Sequence, residues 1–274
     1  MSQPPRVSTT GCDDVAPAEY ASDGTFFTQI AARLVGRAGL HPGDRVLDVG
    51  CGTGILTLAA ARAVGPKGHV TGIDPSEPML RRALGCRSRP GGEDIALARA
   101  DAHHPPFAPG SFDAVVASMT VFLLAEPARA VRAWLRLLCP GGTLAFSWNV
   151  SEDPCWQPVT AAVDAYVPGG DGGFDAFAHR PPFHGPDGVA AMLAEAGGTD
   201  SSTTMETVES RYSGPRHWWA TSWSQAPRLV WRQIPDDRRA AARADAFRLL
   251  EAMRLADGSL CRRPLIGVTV THPA

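Results

Sequence analysis

A chain of 274 residues, 44% of them hydrophobic, has material for one large α/β domain with room for a sizeable insertion. Its 26 basic and 28 acidic side chains leave a net charge of −2, which removes the basic footprint that would argue for a nucleic-acid partner. Lys67 is the only lysine, and the richness in Arg, Ala, Gly and Pro reads as the codon bias of a GC-rich genome. The six cysteines (Cys12, Cys51, Cys86, Cys139, Cys155 and Cys261) form no CxxC pair, so free thiols in a reducing cytoplasm are expected and no metal site. Residues 1–11 hold one Arg and no apolar run, unlike a secretory signal. The longest mostly apolar stretch, 114–125, is broken by Ser118 and Thr120 and is too short to span a bilayer. A cytoplasmic protein without a membrane partner is the expectation.

In chain order, residues 45–50 predict a buried strand entering a glycine turn, 55–64 a helix, 69–74 a second strand and 77–86 a helix with Ser76 as N-cap. Third and fourth strands are predicted at 95–100 and 112–118. An amphipathic helix follows at 127–138, stopped by Pro140, Gly141 and Gly142, and then a fifth strand at 143–148. Strands alternating with helices imply parallel crossovers and a doubly wound sheet. Residues 149–185 read as an irregular cover with one short helix near 159–166. A helix at 189–196 closed by Gly197 and Gly198, a sixth strand at 203–211 and a last strand at 265–271 follow. The Trp-containing, then Arg/Ala-rich stretch 215–257 predicts helices inserted between two strands that pair with each other.

The run 48–54, DVGCGTG, carries the most information. It joins a strand to a helix, where glycines let backbone approach a ligand and a helix start offers unpaired N–H groups. A phosphate-binding loop would need a lysine that is absent here, and a GxGxxG dinucleotide loop would need glycine at position 55, which is Ile55. The spacing is GxGxG with Asp48 two residues ahead. That acid would repel a pyrophosphate but suits an ammonium or sulfonium ligand such as S-adenosylmethionine.

Here the sequence resembles the class I S-adenosylmethionine-dependent methyltransferases. The run 46–54 matches the first motif of that family, and 70–80 (VTGIDPSEPML) its second. Ala100, Asp101 and Ala102, followed by Pro106, Phe107 and 110–113, match the third and fourth; 138–142 matches the turn before the fifth strand. The resemblance spans about residues 20–150 and is closest to the ubiquinone/menaquinone-biosynthesis-like subgroup. It implies a doubly wound, Rossmann-like α/β sheet of seven strands with a helical insertion covering the substrate. One methyltransferase domain is then expected, with lid helices in 1–44, a cofactor core in 45–150, a cover with helix and strand in 151–213, the helical insertion in 214–258 and the last strand in 259–274.

The resemblance also implies a cofactor site. Gly50, Cys51, Gly52 and Gly54 form the loop, and Asp48 holds the methionine ammonium through water. Asp74, twenty residues past Gly54 and followed by Pro75, accepts the ribose hydroxyls. Asp101 accepts the adenine amino group, Met79 packs on adenine, and backbone at Ala102 and Ser118 completes the pocket. Tyr20, with Phe26 and Phe27, resembles an N-terminal lid. For Asp74 and Asp101 the competing reading is turn capping; for Met79, Phe26 and Phe27 it is core packing.

The acceptor is expected to be a small molecule, with Trp218, Trp219, Trp223 and Trp231 able to line an apolar or aromatic pocket or to form an insertion core. His184 and His217 are the candidate general bases, with His179 beside them; His103 and His104 read as a solvated loop. The motif of DNA amino-methyltransferases is absent after the fourth strand, where Ser118 to Val121 stand, and no cysteine cluster fits arsenite. Methyl transfer, a cyclisation or elimination on the same fold, and a non-enzymatic cofactor-binding module are the three readings left open. Oligomeric state is not encoded in any signal found.

Overall fold

The computed structural model describes residues 24–87, 95–169, 181–225 and 227–274. Tyr20 and His179 lie outside them. A helix, α1 (Gly24–Ala38), precedes the alternation β1 (Arg45–Val49), α2 (Ile55–Val64), β2 (His69–Asp74), α3 (Glu77–Arg87), β3 (Ile95–Arg99), β4 (Phe112–Ala117), α4 (Pro127–Leu137) and β5 (Leu138–Ser151). The chain continues through α5 (Gln157–Asp164), α6 (Pro186–Ala196), β6 (Gly198–Thr207) and β7 (Ser210–Tyr212). Three helices then stand together, α7 (Pro215–Ser224), α8 (Arg228–Gln233) and α9 (Asp236–Ala252), before β8 (Leu260–Arg262) and β9 (Leu265–Pro273).

Seven strands form one sheet in the order β3-β2-β1-β4-β5-β9-β6. The first five pair in parallel, and β9 runs antiparallel to both of its neighbours. Alternating side chains leave through opposite faces. Val46, Val70, Ala114 and Val116 pack with Ile30 and Leu34 of α1 and Leu56 and Ala60 of α2. Leu47, Val49, Ile73 and Val115 pack with Val131 and Trp134 of α4 and Val189 and Leu193 of α6. Strand order reverses between β1 and β4. In such open sheets the crevice beyond the carboxyl ends at that switch is where ligands bind.

Several element boundaries differ from the sequence expectation. Strand β5 starts at Leu138, which pairs with Phe112; Pro140 to Gly142 bulge out before pairing resumes at Thr143 with Ala114. The stretch expected as one sixth strand splits after Thr207. There Val208 is buried and its N–H donates to the Pro264 carbonyl, and the chain leaves the main sheet to pair β7 with β8. That small sheet carries α7, α8 and α9, whose core gathers Trp156, Tyr212, Val230, Trp231, Ile234, Ala242, Ala246 and Leu250. Strand β6 begins at Gly198, five residues early, with an irregularity at Thr199–Ser202 where Asp200 has φ +48°. Among the described residues no helix is long and apolar enough to cross a membrane.

Candidate active site at the carboxyl edge of the sheet

The glycine loop is tied to the neighbouring strand by its own backbone. Gly50 N and Cys51 N both donate to the Ile73 carbonyl, at 2.8 and 3.0 Å, and Gly54 N closes a turn on Cys51 O. Gly50 has φ +70°, and a Cβ there would stand 2.4 Å from Thr120 Cγ2, so glycine is required for shape and for space. Gly52, at φ +52°, has nothing within 4 Å of where a Cβ would be, so space is open over that position of the loop. Cys51 is buried, and burial pushes its thiol well above the usual range, so it packs as a small apolar side chain.

Asp74 ends β2 and is buried against the loop. Gly52 N donates to its Oδ2 at 2.9 Å and Ser76 N to its Oδ1 at 2.8 Å, which orients the carboxylate. This arrangement braces the loop against the end of β2. Asp48 lies deeper than the sequence implies, fully buried one residue inside the end of β1 and under the loop. Thr57 Oγ1 of α2 donates to its Oδ2 at 2.6 Å, while Oδ1 is a buried acceptor with no hydrogen-bond partner. Burial raises this carboxyl to about 7, against the Thr57 bond and with help from the Asp74 charge.

Past β3, Asp101 is an exposed acid held by its own loop. His103 N donates to its Oδ1 at 2.9 Å, His103 Nδ1 lies 3.1 Å from the same oxygen and His104 Nδ1 lies 3.2 Å from Oδ2. Partial burial would raise the carboxyl, but these partners outweigh it and hold the group below its ordinary value. His103 is not the solvated residue expected: its side chain is 14% exposed, and Nε2 is buried without a partner. His104 is 63% exposed and reaches Arg129. Ala102 is buried, with its carbonyl accepting from Trp134 Nε1 at 2.7 Å. Met79 is buried, and Pro75 is exposed with its carbonyl accepting from Arg99 Nε.

Strand β4 contributes the third wall. Ser118 Oγ is buried without a hydrogen-bond partner, Met119 adopts φ +52° and Thr120 Oγ1 donates to Ser118 O at 3.0 Å. Met119 N donates to Ser147 Oγ of β5, which fixes this strained turn beside Gly50. The turn is missed by reading the sequence, because Ser118 to Thr120 carry no glycine to signal a left-handed residue.

The candidate bases separate. Phe183 is fully buried against Phe122 and Trp148, at ring distances of 6.3 and 6.0 Å, so the exposed His184 sits where the cover meets β5. His217 instead starts α7: its Nδ1 accepts from Ser213 N at 3.1 Å and its ring meets Tyr212 edge-on. A neutral His217 therefore carries its proton on Nε2, which gives it a capping role rather than a free basic nitrogen. Phe26 belongs to the core under α1, meeting Phe27 edge-on at 5.2 Å.

Sequence reasoning also misses an ion pair. Glu152, just past β5, and Arg262, ending β8, have side chains only 3% and 16% exposed. Arg262 Nε donates to Glu152 Oε1 at 2.8 Å and its NH2 group to Oε2. The pair borders a small cavity of about 50 Å³ in the insertion core, lined by Trp156, Val159, Val163, Trp218, Val230 and Trp231. Neither residue falls in a motif, and 110 positions separate them.

The donor set at the glycine loop fits S-adenosylmethionine. Acceptors dominate, space is open over Gly52, and Asp48 Oδ1 is a buried acceptor with no hydrogen-bond partner, suited to a cationic group. Among the described residues no group of three His, Cys, Asp or Glu converges as a metal site.

Comparison with known proteins adds the lineage. Residues 47–146 match the family model described as "Methyltransferase domain". The chain is 34% identical over 251 residues to nocamycin O-methyltransferase of Saccharothrix syringae, covering 88% of this chain and 89% of that enzyme. It is 39% identical over 110 residues to demethylmenaquinone methyltransferase of Staphylococcus aureus, covering 40% of this chain but only 45% of that enzyme. In fold it is similar to the YcgJ protein of Bacillus subtilis, with a TM-score of 0.57 and 17% identity over 90% of this chain and 99% of that one. Motifs, sheet order and a relative matched over nearly its whole length converge on one family: the chain belongs to the class I S-adenosylmethionine-dependent methyltransferases, in the group related to quinone-biosynthesis enzymes.

Proposed function

We propose that the chain methylates an oxygen atom of a small-molecule acceptor in natural-product biosynthesis. The observation that carries this is the loop 50–54 with Asp48 beneath it and Asp74 beside it, on a chain 34% identical to an enzyme named for O-methylation. In this reading Asp74 accepts the ribose hydroxyls and Asp101 the adenine amino group. The Asp48 carboxylate attracts the methionine ammonium, Met79 packs on adenine, and Ala102 and Ser118 close the pocket. When bound, S-adenosylmethionine supplies an electrophilic methyl group and departs as S-adenosylhomocysteine.

The protein's part is positioning. An acceptor oxygen held in line and freed of its proton needs no further activation, so orientation supplies most of the rate. In this reading His184, exposed beside the buried Phe183, takes that proton. Incubation with S-adenosylmethionine and candidate hydroxylated acceptors, read by product mass, tests the function. A gain of one methyl group supports it, and a product of unchanged mass supports a cyclisation instead. Calorimetry with S-adenosylhomocysteine tests the cofactor site separately, and absence of binding by the folded protein overturns the residue assignments.

A further inference from the structure

Asp48 lies at a balance between its charged and neutral forms, and the donor that holds it there comes from α2. Thr57 is fully buried in the first turn of that helix. A helical threonine hydroxyl commonly turns back to a carbonyl three or four residues earlier. Thr57 Oγ1 instead donates to Asp48 Oδ2 at 2.6 Å, a short bond of the kind an ionised acceptor makes. Gly54, the N-cap of α2, supplies no side-chain cap, so the first-turn N–H groups have no partner within the helix. The Thr57 N–H is one of these, and it too favours the Asp48 anion.

Against these donors stand burial, the dominant influence, and the Asp74 charge at the end of β2. The Cys51 thiol of the loop also faces Asp48 and is neutral, pushed well above its usual range. No basic side chain is among the groups that act on Asp48. Geometry adds to the balance. A carboxylate is planar, so pinning Oδ2 on α2 also fixes the direction of Oδ1, the buried oxygen without a partner. Without its hydroxyl, Thr57 would leave Asp48 with neither that orientation nor its strongest anion-favouring contact.

We propose that Thr57 is a positioning residue for the amino-acid end of the cofactor, its hydroxyl holding the Asp48 carboxylate for the ammonium group. This rests on the Asp48 assignment above and extends the site into the helix behind the glycine loop, to a residue that acts only through Asp48.

Calorimetry of the full chain with S-adenosylhomocysteine and with 5′-methylthioadenosine, the same nucleoside thioether without the amino-acid end, tests it. In the wild type the preference for S-adenosylhomocysteine should rise about tenfold from pH 6 to pH 8, the factor by which the anion fraction of a group at about 7 grows. Thr57→Val, which keeps the shape without the hydroxyl, should lower S-adenosylhomocysteine affinity about tenfold at pH 7.5 and move the rise to higher pH. Its affinity for 5′-methylthioadenosine should stay within twofold, which also shows that it folds. Thr57→Ser should restore the preference to within threefold of the wild type. A wild-type preference that is flat with pH, equal weakening of both ligands in Thr57→Val, or no recovery in Thr57→Ser would overturn the proposal. The pH series needs only the wild type, so the proposal can fail whether or not a variant folds. Failure of this proposal alone leaves 5′-methylthioadenosine bound, whereas binding of neither ligand by the folded wild type overturns the cofactor site as well.

Discussion

The two ends of the carboxyl edge are built in different ways. Around β1 and β2 the site is made of backbone: N–H groups of Gly50, Cys51, Gly52 and Ser76 fix the loop on Ile73 O and Asp74. Past β5 the structure is instead held by side chains, tryptophans braced on one another over a buried Glu152–Arg262 pair. The first kind of structure is least tolerant at Gly50, where a Cβ would collide with Thr120. The second depends on side-chain volume and charge balance.

The side-chain end should break hardest, at its ion pair. Arg262→Ala leaves the Glu152 carboxylate buried without its cation, and should cost about 3–5 kcal/mol of stability, read by denaturant unfolding. Glu152→Gln, which keeps the shape, should cost clearly less. Gly50→Ala comes next, at about 2–4 kcal/mol, because left-handed strain adds to the collision with Thr120. Adding Thr120→Ala should restore only the collision part, since the φ of +70° remains. Asp74→Ala should weaken S-adenosylmethionine binding by about 1–3 kcal/mol, as a calorimetric titration would report.

The smallest effect is a pH dependence. Burial raises Asp48 in the folded chain to about 7, above its unfolded value, so the folded state binds the proton more tightly. Its contribution is therefore fully present in acid and is lost as pH rises through 7. Between pH 6 and 8 the cofactor-free protein should lose on the order of 1 kcal/mol of stability, and Asp48→Asn should flatten that slope. Binding of a cationic ligand near pH 6.5 should release a proton, detectable as a dependence of the calorimetric heat on buffer ionisation enthalpy.

Legibility in the sequence follows the same division. The parallel strands β1 to β5 and the glycine loop can be read because each rests on a local rule: apolar runs, glycines at positive φ, an acid at a strand end. The motif points to Asp48 but not to its depth, since depth depends on Thr57 arriving from α2. His217 passes for a base because a sequence cannot show that Ser213 N occupies its Nδ1. His103 passes for a solvated residue because its contact with Asp101 is made by a turn with no motif of its own. Glu152 and Arg262 are invisible for the plainest reason: two unremarkable charged residues meet only after β5, β8 and β9 are in place.

The last strand carries a consequence for how the molecule is made. Strand β9 is inserted between β5 and β6, and the bond from Trp148 Nε1 to Thr269 Oγ1 joins residues 121 positions apart. During synthesis the parallel half and its glycine loop emerge early, but the β5 edge stays unpaired until β9 leaves the ribosome. An exposed edge invites strand addition from other chains, and closure over so long a loop is slow. Nascent chains of this protein are therefore most vulnerable to aggregation while the helical insertion is being translated, and a holdase that shields that edge would raise yield without altering the finished enzyme.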